Sequence, residues 1–172
     1  VEVKQLSGLL IEDTLFSGNT LHGVMGVNAG VTLRRNTFTN NRDAYGMEFY
    51  GWGKILFEDN ILNNNYVGTE FNGRTLTARN NQYINTTEAS AYISDFYEDV
   101  HIYNETFTNN TYRGLEIWSI YKDANVRIDN CTFKDNGRYG LDIQGFYDSS
   151  NLMLENCTID GGQQPLYISW LY

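Results

Sequence analysis

"VRIDNCTFKDN" (126–136) and "LMLENCTIDGG" (152–162) are one stretch written twice, 26 residues apart, and between them they hold both cysteines of the chain. Further copies run upstream as "VTLRRNTFTNN" (31–41), "ILFEDNILNNN" (55–65), "LTARNNQYINT" (76–86) and "VHIYNETFTNN" (100–110), with a weaker first copy, "LLIEDTLFSGN" (9–19). A second element follows each time: "GMEF" (46–49), "GTEF" (68–71), "GLEI" (114–117) and "GLDI" (140–143). "SAYI" (90–93) and "PLYI" (165–168) are degenerate versions, and "VEV" (1–3) aligns with "MEF" (47–49). The period is 22–26 residues, shortening to 21 between the copies at 55 and 76.

Apolar and polar residues alternate inside each element, which is the strand signature. Val31 and Leu33 are expected to face inward with Thr32 outward, then Asn36 and Phe38 inward after a short bend. Met47 and Phe49 follow, inward, with Glu48 outward. Each repeat therefore predicts three short strands. Repeats that cannot bury a face alone must stack, and about seven coils at about 4.8 Å each predict a rod roughly 30–35 Å long.

Composition agrees. Of 172 residues, 41% are hydrophobic and 15% aromatic, too apolar for a disordered chain. One proline, 16 glycines and 21 asparagines favour turns over helices. A net charge of −9, with scattered basic residues, argues against nucleic acid as a partner. No apolar run approaches the roughly 18–20 residues of a membrane helix, so no membrane insertion is expected. The start, "VEVKQLSGLL", has neither an initiator Met nor a signal region, and the end, "LYISWLY", is still apolar. The expectation is one domain over 1–172, as a segment of a longer chain or a unit that stacks end to end. Side-by-side self-association is the other arrangement considered.

These stretches, of the form V-x-I-x-x-N-x-F-x-N-N…G-I-x-L, resemble the right-handed parallel β-helix superfamily over nearly the whole chain. The resemblance implies an all-β fold: a single-stranded right-handed parallel β-helix (solenoid) of about seven coils, with three short strands per coil. The crossover rule favours the same hand.

Aligned coils become columns. Phe16, Phe38, Leu62, Tyr83, Phe107, Phe133 and Ile159 form an inward one, read as core. Asp13, Arg35, Asp59, Asn80, Asn104, Asn130 and Asn156 occupy the bend, where Asn and Asp tolerate left-handed backbone. That column resembles an asparagine ladder, interrupted early by Arg35. The next column inward ends in Cys131 and Cys157, read as reduced thiols; a disulfide stays open, though parallel side chains suit it poorly. Sequons at Asn104, Asn130 and Asn156 fall on the bend column, so any glycan is expected on Asn85 or Asn109.

The outward column runs Glu2, Met25, Glu48, Glu70, Tyr92, Glu116, Asp142 and Tyr167. Neighbouring carboxylates about 5 Å apart repel, and such pairs can share a proton, a cation or a sugar. Their spacing suits the carboxyl pair of a glycosidase. Glu48, Glu70, Glu116 and Asp142 are thus candidate acids and bases, or mere solvated acids. No metal site or cofactor is read; Ca²⁺ among these oxygens stays open. After the acidic strand come Tyr50 and Trp52, Phe96 and Tyr97, Trp118 and Tyr121, Phe146 and Tyr147, Trp170 and Tyr172. Trp52, Tyr97, Trp118, Tyr121 and Tyr147 are candidate sugar platforms, on loops that lengthen from 72–75 to 118–125 and 144–151. Arg113 and Arg138 could neutralise a uronate.

The resemblance implies a polysaccharide lyase or hydrolase site on this face, but the local signatures differ. The galacturonase-like Asn-Thr-Asp, Asp-Asp and Gly-His-Gly motifs are absent. The pectate-lyase-like basic motif around proline is absent too, Pro165 being the only proline. The reading is an extracellular or surface module recognising a polysaccharide or glycan, within a surface, adhesin or virion-spike protein. A polysaccharide hydrolase or lyase is the second reading, and a self-stacking filament subunit the third.

Overall fold

Each coil turns three corners, and the residues at two of them are chosen for backbone conformation. In the computed structural model, which describes residues 1–4, 8–27, 30–43 and 45–171, the first corner is the column from Asp13 to Asn156. All seven of its residues, Arg35 included, take φ of 52–58°. A second left-handed column holds Asn40, Asn64, Asn85, Asn109 and Asp135, at 54–59°. Asparagine dominates both because its short polar side chain accepts this region at little cost.

Between corners the described residues form 22 strands in three sheets, every pairing parallel. The first sheet has eight strands, from Glu2–Lys4 to Gln164–Leu171. The other two have seven each, beginning at Leu9–Glu12 and Leu15–Ser17. Successive coils pair in strict register, as in Phe16↔Phe38↔Leu62↔Tyr83↔Phe107↔Phe133↔Ile159. Like rings one coil apart then stack: Tyr83 on Phe107 at 4.5 Å and Phe107 on Phe133 at 4.8 Å between centroids. This column is core, as expected from the repeat.

The glycine that opens "GTEF" and "GLEI" is set by the same stacking. A Cβ on Gly68 would lie 2.0 Å from the Ser90 carbonyl oxygen, and one on Gly114 would lie 2.4 Å from that of Gly140. Removing the side chain there lets adjacent coils close to pairing distance.

Two expectations are revised. Amides at the first corner do link coils, as in Asn104 to Asn80 at 3.1 Å, and Arg35 breaks the series by pairing with Asp13 and Glu12. But that ladder is exposed. The buried ladder runs one residue further on, Asn36 to Asn60 to Asn81, and ends on Glu105. A second buried run, at the other corner, joins Asn41 to Asn65 and Asn110 to Asn136. Each of these amides also donates to a carbonyl of the preceding coil, as Asn60 does to Leu33. Inside a dry core such bonds satisfy backbone carbonyls that water cannot reach.

The loops expected over 118–125 and 144–151 are half strand, which leaves four-residue turns at 121–124 and 147–150. Arg113–Ile120 and Tyr139–Phe146 are eight residues each, against six for Tyr45–Tyr50. Left-handed Ser119 and Gly145 bend these strands without ending them, and pairing resumes at Ile120↔Phe146. That turn buries Phe96, Ile120 and Phe146 in the core.

Both cysteines are free thiols. Cys131 continues the column of Glu105, donates to the Asp129 carbonyl at 3.3 Å, and is pushed up to about 12 by burial.

Candidate functional site

The outer face of the first sheet carries the predicted acidic column in register: Met25↔Glu48↔Glu70↔Tyr92↔Glu116↔Asp142↔Tyr167. Outward does not mean solvated here. Glu48 is only 6% exposed, Glu116 7% and Asp142 0%. Long neighbours two residues along the strand, or from flanking columns, engage them.

Each adjacent pair of acids is bridged by one donor, which relieves the repulsion of stacked charges. The Tyr50 hydroxyl donates to Glu48 and lies 3.1 Å from Glu70. His22 Nδ1 sits 3.2 Å from the other Glu48 oxygen, with its ring stacked on Tyr45. In the second pair, Arg113 donates through Nε to Asp142 at 3.0 Å and stands 3.3 Å from Glu116. Gln144 donates to the remaining Asp142 oxygen at 2.8 Å.

The four predicted acids thus separate into two kinds. Asp142 is fully buried with both oxygens occupied, and it serves to hold Arg113. Glu48 is likewise closed in by Tyr50 and His22. Glu70 and Glu116 instead line an open groove of about 450 Å³, together with Tyr45, Tyr66, Glu88, Tyr92 and Arg113. The groove exists because of one column. In the residues that precede the conserved-spacing glycine position, Tyr45, Arg113 and Tyr139 are large, while Val67 and Ala89 between them are small. The missing side-chain volume is the cavity.

Its chemistry follows from desolvation. Burial raises Glu70 above the usual carboxylate range, with the Tyr45 and Tyr50 hydroxyls drawing it back down. Burial also pushes Glu116 up to about 7; Arg113 opposes this, and the Asp142 and Glu88 charges add to it. The Glu116 side chain is 9% exposed, and its only contact with an opposite charge among the described residues is the Arg113 guanidinium. Two residues along the same strand face stands Trp118, 36% exposed, tilted against Trp170 at 6.5 Å. On its other side, the register neighbour is the small Ser94.

Residues 1–122 and 70–169 match the family described as a right-handed β-helix region. The chain belongs to that family. No curated protein and no solved structure matches it.

In this β-helix protein the predicted binding residues fall at two places. Trp118 and Arg113 are on the groove face. Trp52, Tyr97, Tyr121 and Tyr147 instead stack on one another at the corner beyond it, at 5.4, 5.4 and 5.2 Å between centroids. Lys122 lies over Tyr97 at 5.1 Å. Rings that cover each other present edges rather than faces, so this column is a wall beside the sheet. Tyr172 lies outside the described residues. Arg138 is exposed and rests on Tyr112 and Tyr139, away from any carboxylate partner among the described residues.

Tyr45, Tyr66 and Glu88 are not among the residues singled out from the sequence, and His22 falls on no shared pattern there. Tyr45 was legible, since it opens the strand that carries Glu48; His22 lies in a turn with no repeating neighbour and was not. Among the described residues no three His, Cys, Asp or Glu side chains converge as a metal site. Asn85 and Asn109 are both exposed at the second corner.

Proposed function

We propose that this β-helix is a carbohydrate-recognition module whose groove face holds a glycan running across the coils. The observation that carries the reading is Glu116. It is a nine-tenths-buried carboxyl that makes no hydrogen bond among the described residues, lining an open groove with tyrosines and two residues from an exposed tryptophan. Apolar sugar faces stack on such rings, while carboxylates accept from hydroxyls. Each coil advances about 4.8 Å, roughly one sugar residue, so a chain along the solenoid axis would meet the same columns repeatedly. A place on a cell or virion surface belongs to the same proposal. A glycan array with the wild type and Trp118→Ala tests it: the variant should lose most of the signal. Equal signal from both would remove the groove from the account.

A polysaccharide hydrolase is the second reading, and the shift at Glu116 favours it. A carboxyl held near 7 can donate a proton at neutral pH. Glu70 stands two coils away, with Tyr92 between, so the backbones are roughly 10 Å apart. Carboxyl groups of about 6.5–9.5 Å separation admit a water for inverting cleavage. Reducing-end assays on neutral, amino and uronate polymers test this reading, and Glu116→Gln should abolish any release. No release from any polymer leaves only the binding role.

A further inference from the structure

The groove's charge balance says which sugar it is built for. Glu70, Glu88 and Glu116 line it, with Glu48 and Asp142 directly adjacent in register. Against these stands one guanidinium, Arg113, already held by Asp142 and Glu116. A uronate entering here would meet carboxylates and no uncommitted cation among the described residues lining the groove. A neutral sugar could donate hydroxyls, but would not compensate the buried charge of Glu116. Its Oε2 faces Arg113 at 3.3 Å, its Oε1 has no hydrogen-bond partner among the described residues, and the residue lines the groove. Desolvation of that carboxyl is opposed by too little positive charge, which is the cause of its upward shift. An ammonium group is the ligand that supplies what is missing.

We infer that the groove binds an amino-sugar polymer, a β-linked chain of glucosamine type, with its ammonium groups on Glu70 and Glu116 and an intervening ring on Tyr92. In a β-linked chain, alternate residues turn the same side toward a surface. The two acids face outward from strands two coils apart, about 10 Å, so alternate amines would reach them. The residue between them in register is Tyr92, whose ring lines the same groove. This rests on the carbohydrate reading above and adds the class of sugar.

Isothermal titration with three hexamers tests it: a β-1,4-glucosamine hexamer, its fully N-acetylated counterpart, and a galacturonate hexamer, all at low salt. The glucosamine hexamer should bind at least about tenfold more tightly than the acetylated one, a difference of one decade in Kd. The galacturonate should not bind. Glu116→Gln, checked for folding by circular dichroism, should lose about tenfold for the glucosamine form only. Asp160→Asn removes an equal charge from the exposed face of the third sheet and should change nothing. Equal or tighter binding of the acetylated or acidic hexamer overturns the inference and leaves the carbohydrate reading standing. So does an equal loss in both variants, or equal affinity for a lysine hexamer, since the face would then read charge alone. Absence of binding by every sugar, here and on the array, overturns both.

Discussion

Glu105 and Glu116 sit one coil corner apart in the sequence and share an anomaly: burial pushes both carboxyls up, to about 8 and about 7. Their surroundings differ in partners and in access. Glu105 ends the buried asparagine ladder, where one oxygen accepts from the Asn81 backbone N–H at 3.1 Å and its amide at 2.8 Å. Its other oxygen is unpartnered in closed core. Glu116 instead lines an open groove. A raised carboxyl is therefore no mark of function in this fold. What distinguishes the groove from the ladder is access, and each can be perturbed without touching the other.

Asn60→Ala should give the largest effect. It strands the Asn36 backbone N–H and takes the amide donor from the Leu33 carbonyl in the core, while the Asn81 amide oxygen keeps only the backbone N–H of residue 60. Each buried unsatisfied group costs about 1–3 kcal/mol, so a loss of about 3–5 kcal/mol is expected in urea unfolding. Trp118→Ala, on the groove face, should cost less than about 1 kcal/mol. If the two losses were equal, the division into frame and site would fail.

Arg113→Met attacks the groove through its structural half. It leaves Asp142 fully buried with Gln144 as its remaining partner, and removing one member of a buried ion pair costs about 3 kcal/mol. The Glu116 carboxyl should rise further, because the charge that opposed its shift is gone. A carboxyl titration followed by NMR would read that directly; an unchanged Glu116 would mean that Arg113 does not act on it.

Glu105→Gln turns the comparison into a pH profile. The folded state holds the Glu105 proton up to about 8, against 4.5 for the ordinary carboxyl. Between those values the native protein binds more protons than the unfolded chain, so its stability falls as pH rises and levels off above about 8. With Gln in place this component of the slope should vanish. At high pH the variant should be more stable than wild type by about 2–3 kcal/mol, below the full value of the shift because the added amide N–H groups lack acceptors. Parallel stability curves for the two proteins would show that Glu105 is not the group responsible.

Much of this architecture was legible in the repeat. Alternation gave the strands, and asparagine at fixed offsets gave the left-handed corners. Columns of like residues gave the core, and the same rule explains the corner aromatics: Tyr97, Tyr121 and Tyr147 recur in register, so they stack on each other as the phenylalanines do inside. What alignment by column could not give was the cover over each acid. Glu48 is closed by Tyr50 and His22, and Asp142 by Gln144 and Arg113, all from outside the acidic column. Nor did it reveal that strands continue through a left-handed residue such as Ser119. The groove itself was recoverable from Val67 and Ala89, two small residues at a position held elsewhere by tyrosine and arginine.

The smallest expected effect belongs to Tyr50→Phe, which sharpens the contrast most finely. In the ladder a carboxyl is held by backbone and amide donors of the coil itself. On the groove face, Glu48 and Glu70 share the Tyr50 hydroxyl between them. Deleting that oxygen keeps the ring and its packing, so unfolding free energy should change by no more than about 1 kcal/mol. Glu70, however, loses a bond that favours its charged form while the Glu48 charge one coil away still opposes ionisation. Its titration should move upward, and that of Glu105, which shares no contact with Tyr50, should stay in place. If Glu70 does not move, the tyrosine bridge contributes nothing to the acidity of the groove, and Tyr45 alone must hold that carboxyl.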